Sequence, residues 1–383
     1  MKIESIRLKN FRMFRDVTID KLPNCCFFVG ANGTGKTSLF DLFGFLRDAL
    51  TYNVKQSLAK RRGFNEVVSR ETVGPIELEL TFRNLQATSS LVSYLLIIDL
   101  IENRPVVKRE VLKYWPKQDH LEPQPIIDFS LGTGKIIHNE NTQQLTSPDI
   151  LALRGIGQFQ HFEIASELYH FIENWHISDI QLSEARKINQ ATGYDEHLSR
   201  NGNNLALFAQ RMHNHYPKQY QEIMHQMAYR LPSISSVEPI TTEEGRIFLN
   251  FHHSTFKQPF QSMQVSDGTL QLFAHLLQLY DPNPHPLLCV EEPEKLFYPH
   301  LLRELAEEFS LYAMKSEQVF VSTQSPDFLN GAQLNEIFWI PQQNGYSQIH
   351  RANDSELLQN LVNDGELPGA LWKQRLLEDA NLP

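Results

Sequence analysis

The sequence predicts an α/β fold with a mixed sheet core, an antiparallel β lobe and an inserted helical lobe. Two continuous apolar runs, at 25–29 and 286–290, are each followed by a loop and a helical pattern, which is the alternation of a parallel sheet. Between them, residues 75–145 alternate apolar and polar side chains, and residues 148–235 show apolar positions three and four apart. We therefore expect one core that carries two insertions.

Length and composition fit a globular protein with one large α/β domain or two smaller ones. The chain has 383 residues, of which 41% are hydrophobic and 21% charged. Its net charge of -10 argues against a surface that coats nucleic acid indiscriminately. The basic cluster Lys60, Arg61 and Arg62 is expected to lie in a solvated loop, with a local basic groove as the alternative. Since the start of the chain lacks a signal-peptide core and the apolar run at Ser93 is too short to span a bilayer, we expect a cytoplasmic protein.

The elements are predicted in chain order from these patterns. Residues 2–22 are expected to form two short strands around a turn at Arg12–Arg15, and CCFFV at 25–29 a strand buried on both faces. Helical spacing follows from Leu39 to Leu50. The remaining core elements are strands around 236–252, a helix from Ser266, and then a strand at 286–290, a helix near 299–310 and strands at 318–321 and 336–340.

The tetrapeptide Gly-Thr-Gly-Lys occurs twice, and its surroundings distinguish the two copies. The first copy, 33–36, belongs to a Gly-x-x-x-x-Gly-Lys-Thr pattern that starts at Gly30, between a buried strand and a helix. This pattern predicts a phosphate-binding P-loop, whose amides and lysine hold phosphates while Thr37 ligates magnesium. The second copy, 132–135, lacks the leading glycine, continues into Ile136 and lies between two strands. It predicts a hairpin turn.

Two further segments supply what a nucleoside triphosphatase needs. Glu291 directly follows the apolar run at 286–290, where an acidic side chain holds magnesium, and Glu292 is placed as general base. Ser266 is a residue type that caps helices, and the helix that begins near Gly268 would offer its first amides to an anion.

Together these motifs resemble the ABC-type ATPase heads of the RecF, structural-maintenance-of-chromosomes and overcoming-lysogenization-defect group. They are most similar to the stand-alone AAA-type ATPases of that group in bacterial defence islands. The resemblance covers nearly the whole chain and is carried by IRLKNFRMFRDV, the P-loop, VSDGT, EEPEKLFYP and STQSPDFL. It implies two heads that sandwich two ATP molecules, with Ser266, Asp267 and Gly268 of one head contacting the nucleotide of the other. It also implies that Arg12 lies near the phosphates in cis and that Gln324 lies at the switch that senses the γ-phosphate.

The chain departs from this family at two positions. Relatives usually carry histidine where this chain has Gln324 and Tyr298. An amide can donate a hydrogen bond but cannot carry a proton charge, so we expect slow hydrolysis or an altered pH dependence. The Q-loop glutamine of the family stays unassigned, with Gln158 and Gln160 as candidates.

The predicted site thus has three sets of residues. The catalytic set is Glu292, Lys36 and Gln324, and the magnesium ligands are Thr37 and Glu291. The residues expected to bind ATP are Arg12, Gly30, Asn32, Gly33, Thr34, Gly35, Lys36, Thr37, Ser38, Ser266, Asp267 and Gly268.

Residues 1–383 are predicted to form a single ABC-type ATPase domain with four segments. These are the N-terminal strands and P-loop half at 1–90, the antiparallel β segment at 91–147, the mainly helical insert at 148–262, and the signature helix, Walker B and switch half at 263–383.

The expected function is an ATP- and Mg2+-dependent switch. It would form a homodimer or higher oligomer of heads and signal to a separately encoded effector or to DNA, and the resemblance suggests antiphage defence without a membrane partner. A RecF-like DNA-repair ATPase and a structural ATP-binding module with little turnover are the alternatives. A transporter subunit is disfavoured because VSDGT replaces the transporter signature.

Overall fold

The computed structural model describes residues 1–83, 91–115, 122–137, 139–191, 195–315 and 318–379. In chain order its first elements are β1 (Lys2–Phe11), β2 (Phe14–Ile19), β3 (Cys25–Val29), α1 (Lys36–Thr51), α2 (Val54–Lys60), α3 (Phe64–Val67), β4 (Ile76–Arg83), β5 (Leu91–Ile101), β6 (Arg104–Trp115), β7 (Gln124–Ser130), β8 (Thr133–Ile136), β9 (Asn139–Gln144), α4 (Ala152–Ile156), α5 (Glu163–Glu173) and β10 (His176–Ser178).

The elements that follow are α6 (Leu182–Ala185), β11 (Asn189–Gln190), α7 (Leu205–His215), α8 (Pro217–Arg230), β12 (Ile234–Thr241), β13 (Arg246–His253), β14 (Phe260–Gln261), α9 (Asp267–Leu279), β15 (Leu287–Glu291), α10 (Pro299–Lys315), β16 (Gln318–Thr323), α11 (Pro326–Leu329), β17 (Ile337–Trp339), β18 (Gln342–Gln343), β19 (Tyr346–Ser347), β20 (His350–Arg351), α12 (Glu356–Asn363), α13 (Pro368–Lys373) and α14 (Leu376–Asp379). Among the described helices, none has the length and apolarity that crossing a membrane requires.

A six-stranded sheet, ordered β10-β15-β16-β3-β17-β20, forms the core. Its first five strands are parallel and β20 is antiparallel to β17, so the predicted mixed sheet is confirmed. Every residue of β3 is buried because helices cover both faces of the sheet. Phe28 packs in the apolar cluster that contains α1, and Phe27 packs in the cluster that contains α10.

The antiparallel lobe is a second sheet, ordered β2-β1-β4-β5-β6-β7-β8-β9. It begins with the N-terminal hairpin, whereas the sequence pattern led us to group β1, β2 and β4 with the P-loop half. β1 pairs with β4, and the buried side chains of Ile6 and Leu8 join the apolar cluster of α1. The same cluster contains Phe28 of the core sheet, so α1 packs against both sheets.

The second Gly-Thr-Gly-Lys copy is a hairpin turn, as predicted. Ser130 of β7 pairs with Thr133 of β8, and Leu131 and Gly132 between them have φ angles of 51° and 79°. Two central residues with positive φ favour this tight connection, and the glycine adopts that conformation without strain. Lys135 lies in β8 with an exposed side chain, away from any helix start.

The segment 148–262 contains strands as well as helices, and β12 and β13 lie at the strands predicted around 236–252. It contains α4 to α8, but also β10, which joins the core sheet, and β11 to β14, which form a separate small sheet. Leu249 of β13 and Phe208 of α7 pack with Leu272 of α9 in one apolar cluster. The insert therefore carries the helix that follows Ser266 on its own core.

Candidate functional site

The predicted P-loop, Glu291, Glu292 and Gln324 lie where the parallel strands end. Val29 at the end of β3 pairs with Thr323 of β16, and Ser322 pairs with Glu291 of β15. The carboxyl ends of these strands therefore meet at one edge, which is the usual ligand-binding edge of such sheets. The loop 30–36 and the two segments that follow β15 and β16 converge there.

The P-loop backbone requires glycine at several positions. Gly33 and Gly35 have φ angles of 82° and 101°, a region that side chains disfavour. A Cβ atom at Gly30 would lie 2.4 Å from Oγ1 of Thr34, and one at Gly35 would lie 2.5 Å from Oγ of Ser347. Among the described residues no side chain caps α1, so its first amides are available to an anion.

Lys36 is buried and folded over its own loop. Its Nζ donates to the carbonyl oxygens of Gly30 at 2.7 Å and Ala31 at 3.0 Å. Burial lowers the pKa of Lys36, whereas three nearby carboxylates raise it, those of Glu292, Glu294 and Glu291. Phosphate oxygens would replace the two carbonyls as acceptors for this ammonium group.

Thr37 and Glu291 form the predicted magnesium pair. Thr37 Oγ1 donates to Glu291 Oε2 at 2.8 Å. Burial raises the pKa of Glu291, and the hydrogen bond from Thr37 lowers it. Both residues line a cleft of about 270 Å³ together with Arg12 and Ser38. Hydroxyl and carboxylate oxygens are hard ligands that suit Mg2+, which would supply positive charge beside bound phosphates.

Glu292 lies at the same edge but is already paired. Its backbone has a φ angle of 44°, and its amide donates to the carbonyl of Ser322 at 2.9 Å. Positive φ in a residue other than glycine is a form of local strain that clusters at functional sites. Its Oε2 lies 2.8 Å from Nζ of Lys295, an exposed side chain whose pKa this hydrogen bond raises. Lys295 therefore occupies one of the two carboxylate oxygens of Glu292 that could accept a proton from water.

Glu294 is a site residue that sequence reasoning missed. Thr323 Oγ1 donates to its Oε1 at 2.6 Å, and the Gln324 amide donates to the same oxygen at 3.1 Å. Its Oε2 is buried without a partner among the described residues, and burial raises its pKa. Glu294 thus ties the loop after β15 to the switch segment after β16. Its place in EEPE, two residues after Glu292, was the available signal.

Gln324 lies at the predicted switch position with an exposed side chain. Its backbone is held on both sides, because its amide donates to Glu294 and its carbonyl accepts from Trp372 Nε1 at 3.3 Å. The side chain can therefore turn toward a nucleotide without moving the main chain.

Arg12 lines the cleft at Thr37, and its guanidinium group is held by partners within the chain. Its Nε and Nη2 donate to Asp41 Oδ2 at 2.9 and 2.6 Å, and its Nη1 donates to the carbonyl of Glu66 at 3.0 Å. Arg200 lines the same cleft and was missed, since its polar loop contains no recognisable motif.

The basic cluster at 60–62 does not form the solvated loop that we expected from the sequence. The Arg61 side chain is buried and pairs with Asp41 at 2.6 Å and Asp48 at 2.9 Å. Lys60 also pairs with Asp48, at 2.7 Å. Acidic partners within the chain therefore neutralise most of this cluster.

The remaining P-loop residues are supported from the C-terminal part of the chain. Asn32 is exposed at the loop tip, and Thr34 Oγ1 donates to the carbonyl of Ala31 at 2.9 Å. Gln342 donates to the carbonyl of Gly33 at 2.8 Å, and Ser347 donates to that of Thr34 at 2.6 Å. These two supporting side chains lie more than 300 residues away in sequence, so local patterns could not reveal them.

The signature residues lie in a different cleft. Ser266 caps α9, accepting from the Thr269 amide at 3.2 Å, and Asp267 pairs with Arg186 at 2.6 Å. A Cβ atom at Gly268 would lie 2.8 Å from the carbonyl of Leu296. The three signature residues line a cleft with Leu296 and Tyr298, and none of them lines the cleft at Thr37. The described chain thus does not bring its own signature to its own P-loop.

The two candidate Q-loop glutamines lie away from the cleft at Thr37. Gln158 and Gln160 are exposed after α4. Gln160 lines a cleft with Pro286, at the amino end of β15 and therefore at the edge opposite the P-loop. Neither glutamine lines the cleft at Thr37.

Comparison with known proteins agrees with this geometry. Residues 25–330 match the family model described as "AAA domain, putative AbiEii toxin, Type IV TA system". The chain belongs to this AAA domain family. The match includes the P-loop, the signature helix, Glu291 and the switch segment.

This member of the AAA domain family is also similar to RecF proteins over short stretches. It is 34% identical over 94 residues to the DNA replication and repair protein RecF of Colwellia psychrerythraea strain 34H, a match to 24% of this chain and 25% of that protein. It is 42% identical over 57 residues to RecF of Lactococcus lactis subsp. cremoris strain MG1363, a match to 15% of each chain. The chain thus spans a quarter or less of the length of these curated relatives.

Solved structures with the same fold are heads of SMC proteins. The Smc head bound to the C-winged helix domain of ScpA has a TM-score of 0.56 at 15% identity, covering 91% of this chain and 97% of that chain. The Smc head with an extended coiled coil bound to the C-terminal domain of ScpA, from Pyrococcus furiosus, has a TM-score of 0.54 at 13% identity, covering 94% and 99%. The predicted P-loop ATPase fold and the resemblance to ABC-type heads of the RecF and SMC group are confirmed.

Proposed function

We propose that this protein is an ATP-hydrolysing molecular switch whose heads dimerise around ATP and Mg2+. Hydrolysis separates the heads and passes a signal to a partner effector or to DNA. One observation carries the proposal: Thr37 and Ser38, directly after the P-loop lysine, line one cleft with Glu291, whereas the signature residues Ser266–Gly268 line another. A complete site then needs the signature of a second copy.

Binding of ATP rests on the P-loop. Its glycines hold the loop in a shape that side chains would obstruct, and the first amides of α1 favour an anion. Lys36 exchanges its two carbonyl acceptors for phosphate oxygens. Thr37 and Glu291 would hold Mg2+, while Arg200 adds positive charge to the same cleft and Asp41 offsets the charge of Arg12.

Hydrolysis rests on Glu292. When Lys295 releases it, a carboxylate oxygen of Glu292 accepts the proton of the water that attacks the γ-phosphate. Glu294 holds the backbone of Gln324, so the amide side chain of Gln324 can bond the γ-phosphate or the water. The ion pair with Lys295 occupies one oxygen of the base in the single head, so release of Lys295 on assembly would favour turnover.

Assembly of two heads rests on the surface around the signature. Leu296 and Tyr298 are large apolar side chains that remain exposed beside Ser266 in the described chain. Burying them against a second head removes apolar area from water, while the start of α9 supplies amides to the nucleotide. Ser266 keeps that helix start in place through its cap.

The family description supports a role in defence. It names a toxin and a type IV TA system, so an ATP-driven switch with a separately encoded effector in antiphage defence is the biological setting that we propose.

The test is molar mass by light scattering with and without ATP and magnesium. Glu292→Gln removes the base and keeps the shape, so with ATP it should trap a species of about twice the 44.3 kDa chain mass. Lys36→Ala in that background should abolish the larger species. Lys135→Ala, in the second Gly-Thr-Gly-Lys copy, is the matched control and should leave it unchanged. Ser266→Arg should prevent assembly while ATP still binds the single head.

Two results would contradict the proposal. A mass that never responds to ATP, although a fluorescent ATP analogue binds, would exclude the nucleotide sandwich. A large species that persists in Lys36→Ala would show that assembly is independent of ATP.

A RecF-like DNA-binding ATPase is the second candidate, and the identity to RecF proteins favours it. Retention on DNA that requires ATP and weakens steeply with salt would support it. Pairing of Lys60 and Arg61 with acidic residues leaves few cations of that cluster for phosphates, which favours a protein effector.

A structural ATP-binding module with little turnover is the third candidate. Gln324 in the switch and the Lys295 contact to Glu292 both favour slow hydrolysis. Steady turnover in the wild type that Glu292→Gln abolishes would exclude it.

A further inference from the structure

A second cluster of ligand-type side chains lies away from the P-loop. His197 precedes α7, Asp281 follows α9 and His285 precedes β15. Each offers one ligand atom, and these atoms lie within 4.8 Å of one another. Sequence reasoning missed the cluster because 84 residues separate His197 from Asp281.

The three side chains are already in contact. His197 Nδ1 lies 2.8 Å from Asp281 Oδ2, and the rings of His197 and His285 have centroids 4.2 Å apart. Ligand atoms around a tetrahedral ion with bonds of about 2.0–2.1 Å are about 3.3 Å apart, so small side-chain rotations would suffice. The Asp281 side chain is 4% exposed, and that of His197 is 27% exposed, which leaves an entry path on one side.

The surrounding contacts orient these ligands. His285 Nδ1 lies 3.2 Å from the carbonyl of Asn174 and donates to it, which leaves Nε2 free to ligate. The amide of Asn283 donates to Asp281 Oδ1 at 2.9 Å, which leaves Oδ2 for the cluster. A histidine that donates its second ring proton to a backbone carbonyl, beside a hydrogen-bonded carboxylate, is the usual outer shell of a metal site.

A third imidazole, next to the cluster, is incompletely satisfied. The His176 ring stacks on His285, with centroids 4.4 Å apart and planes 14° apart. Its Nε2 is buried without a hydrogen-bond partner among the residues that the structure describes. A buried polar atom of this kind is rare and calls for a ligand or an ordered water. A water bound to an ion in the cluster would be such a partner.

We propose that His197, Asp281 and His285 bind one divalent transition-metal ion of the zinc class, with water as the fourth ligand. Two imidazoles and one carboxylate suit Zn2+ and Co2+, whereas Mg2+ prefers oxygen ligands and water. The site is separate from the magnesium pair, because Thr37 and Glu291 lie at the opposite, carboxyl edge of the core sheet.

Such an ion would join the helical insert to the ATPase core. His197 belongs to the insert, Asp281 follows the signature helix α9, and His285 leads into β15, which ends at Glu291. Cross-linking these three segments fixes the far end of the signature helix relative to the strand of the magnesium ligand. The ion would therefore hold the insert in the orientation that assembly needs.

The test uses the full chain stripped with a chelator, reloaded with Zn2+ or Co2+ and dialysed to remove unbound metal. We expect one equivalent of Zn2+ per chain by elemental analysis, and Co2+ should give the visible absorption of a tetrahedral site. His197→Gln and Asp281→Asn should weaken binding at least tenfold. His213→Gln, an exposed histidine on α7, is the matched control and should bind as the wild type does.

Two further readouts separate this site from the magnesium site and from metal bound at surface histidines. Excess Mg2+ with ADP should not displace the bound Zn2+ or Co2+, since these occupy different ligands. Zn2+ should raise the unfolding temperature of the wild type and of His213→Gln, but not that of His197→Gln. Because His197 is partly exposed, its variant should fold even if substitutions of the buried His285 do not.

The proposal fails if the wild type binds less than about a tenth of an equivalent of Zn2+ per chain under conditions that saturate ordinary structural zinc sites. It also fails if folded His197→Gln binds as much metal as the wild type. Either outcome would assign the cluster to hydrogen bonding and ring stacking alone.

Discussion

Glu110 shows how one residue can make the stability of this protein depend on pH. It is fully buried in β6, where Tyr94 Oη donates to it at 2.9 Å and the amides of Ala152 and Leu153 at the start of α4 donate at 2.5 and 2.9 Å. Burial raises the pKa of Glu110 from 4.5 to about 7, and the three hydrogen bonds oppose that rise only in part. The protonated form is therefore favoured in the folded state.

We predict that the free energy of unfolding falls as the pH rises from 4.5 to 7. Since the folded pKa lies above the unfolded one, the stabilisation is complete below about pH 4.5 and is lost as pH rises through 7. The loss should amount to roughly 3 kcal/mol at most. Glu110→Gln, which stays neutral, should flatten this part of the curve in urea unfolding measured from pH 4.5 to 8. Exposed Glu102→Gln is the control, and a Glu110→Gln curve parallel to wild type would contradict the prediction.

At the scale of elements, α8 of the insert and α10 of the core meet at a buried ion pair. Arg230 Nη2 lies 2.6 Å from Glu308 Oε1, with side chains 5% and 9% exposed. Tyr280 Oη donates to the other oxygen of Glu308 at 3.2 Å. This contact orients the insert more than it stabilises it, because desolvation offsets much of the attraction.

Removing one partner of the Arg230–Glu308 ion pair should lower the free energy of unfolding strongly, whereas removing both partners should not. Arg230→Met leaves the buried carboxylate of Glu308 without its ion-pair partner, so we expect a loss of about 3–5 kcal/mol in the free energy of unfolding. The double variant Arg230→Met with Glu308→Leu should recover most of that loss. The exposed pair Arg303–Glu307 on α10, with side chains 60% and 49% exposed, is the matched control.

The exposed pair Arg303–Glu307 gives the cost of losing an ion pair at the surface. Arg303→Met should cost less than about 1 kcal/mol, because solvent screens exposed pairs. A double variant at 230 and 308 that is no more stable than Arg230→Met would show that the cost comes from lost packing. Denaturant titrations of the variants measure all of these differences.

At the scale of the whole molecule, Gln318 joins the two large sheets. Its Oε1 accepts from the Ile3 amide at 2.7 Å, and its Nε2 donates to the carbonyls of Ile3 at 2.9 Å and Pro23 at 3.2 Å. Gln318 is fully buried at the start of β16, while Ile3 belongs to the antiparallel sheet. One side chain thus satisfies backbone groups from two separate segments and ties the antiparallel sheet to the core sheet.

Gln318→Met should therefore destabilise the whole chain while leaving ATP binding intact. It removes three hydrogen bonds to backbone groups of Ile3 and Pro23, so we expect a loss of about 2–4 kcal/mol in the free energy of unfolding. The affinity for ATP should stay within a factor of about two, since the site lies at the other end of β16. Exposed Gln343→Met should change stability by less than about 0.5 kcal/mol. A tenfold loss of ATP affinity in folded Gln318→Met would contradict this separation.

The sequence alone determined those features that depend on short-range geometry. Glycine spacing in a strand–loop–helix context identifies the P-loop, and the strand context of 132–135 identifies a hairpin, since both depend on backbone angles over a few residues. The apolar run of β3 likewise predicts burial on both faces. The pattern after β15 placed Glu291 and Glu292 at the edge of the core sheet because parallel strands end together.

The tertiary structure alone decided which distant segments meet. Alternation in β1 predicts a strand but not its partner, because an antiparallel neighbour in either sheet would show the same pattern. Glu294 at the switch, Arg200 in the cleft and the His197–Asp281–His285 cluster depend on contacts between segments far apart in the chain. Such contacts are set by packing of whole elements around a shared core, which leaves no periodic signal at the residues it brings together.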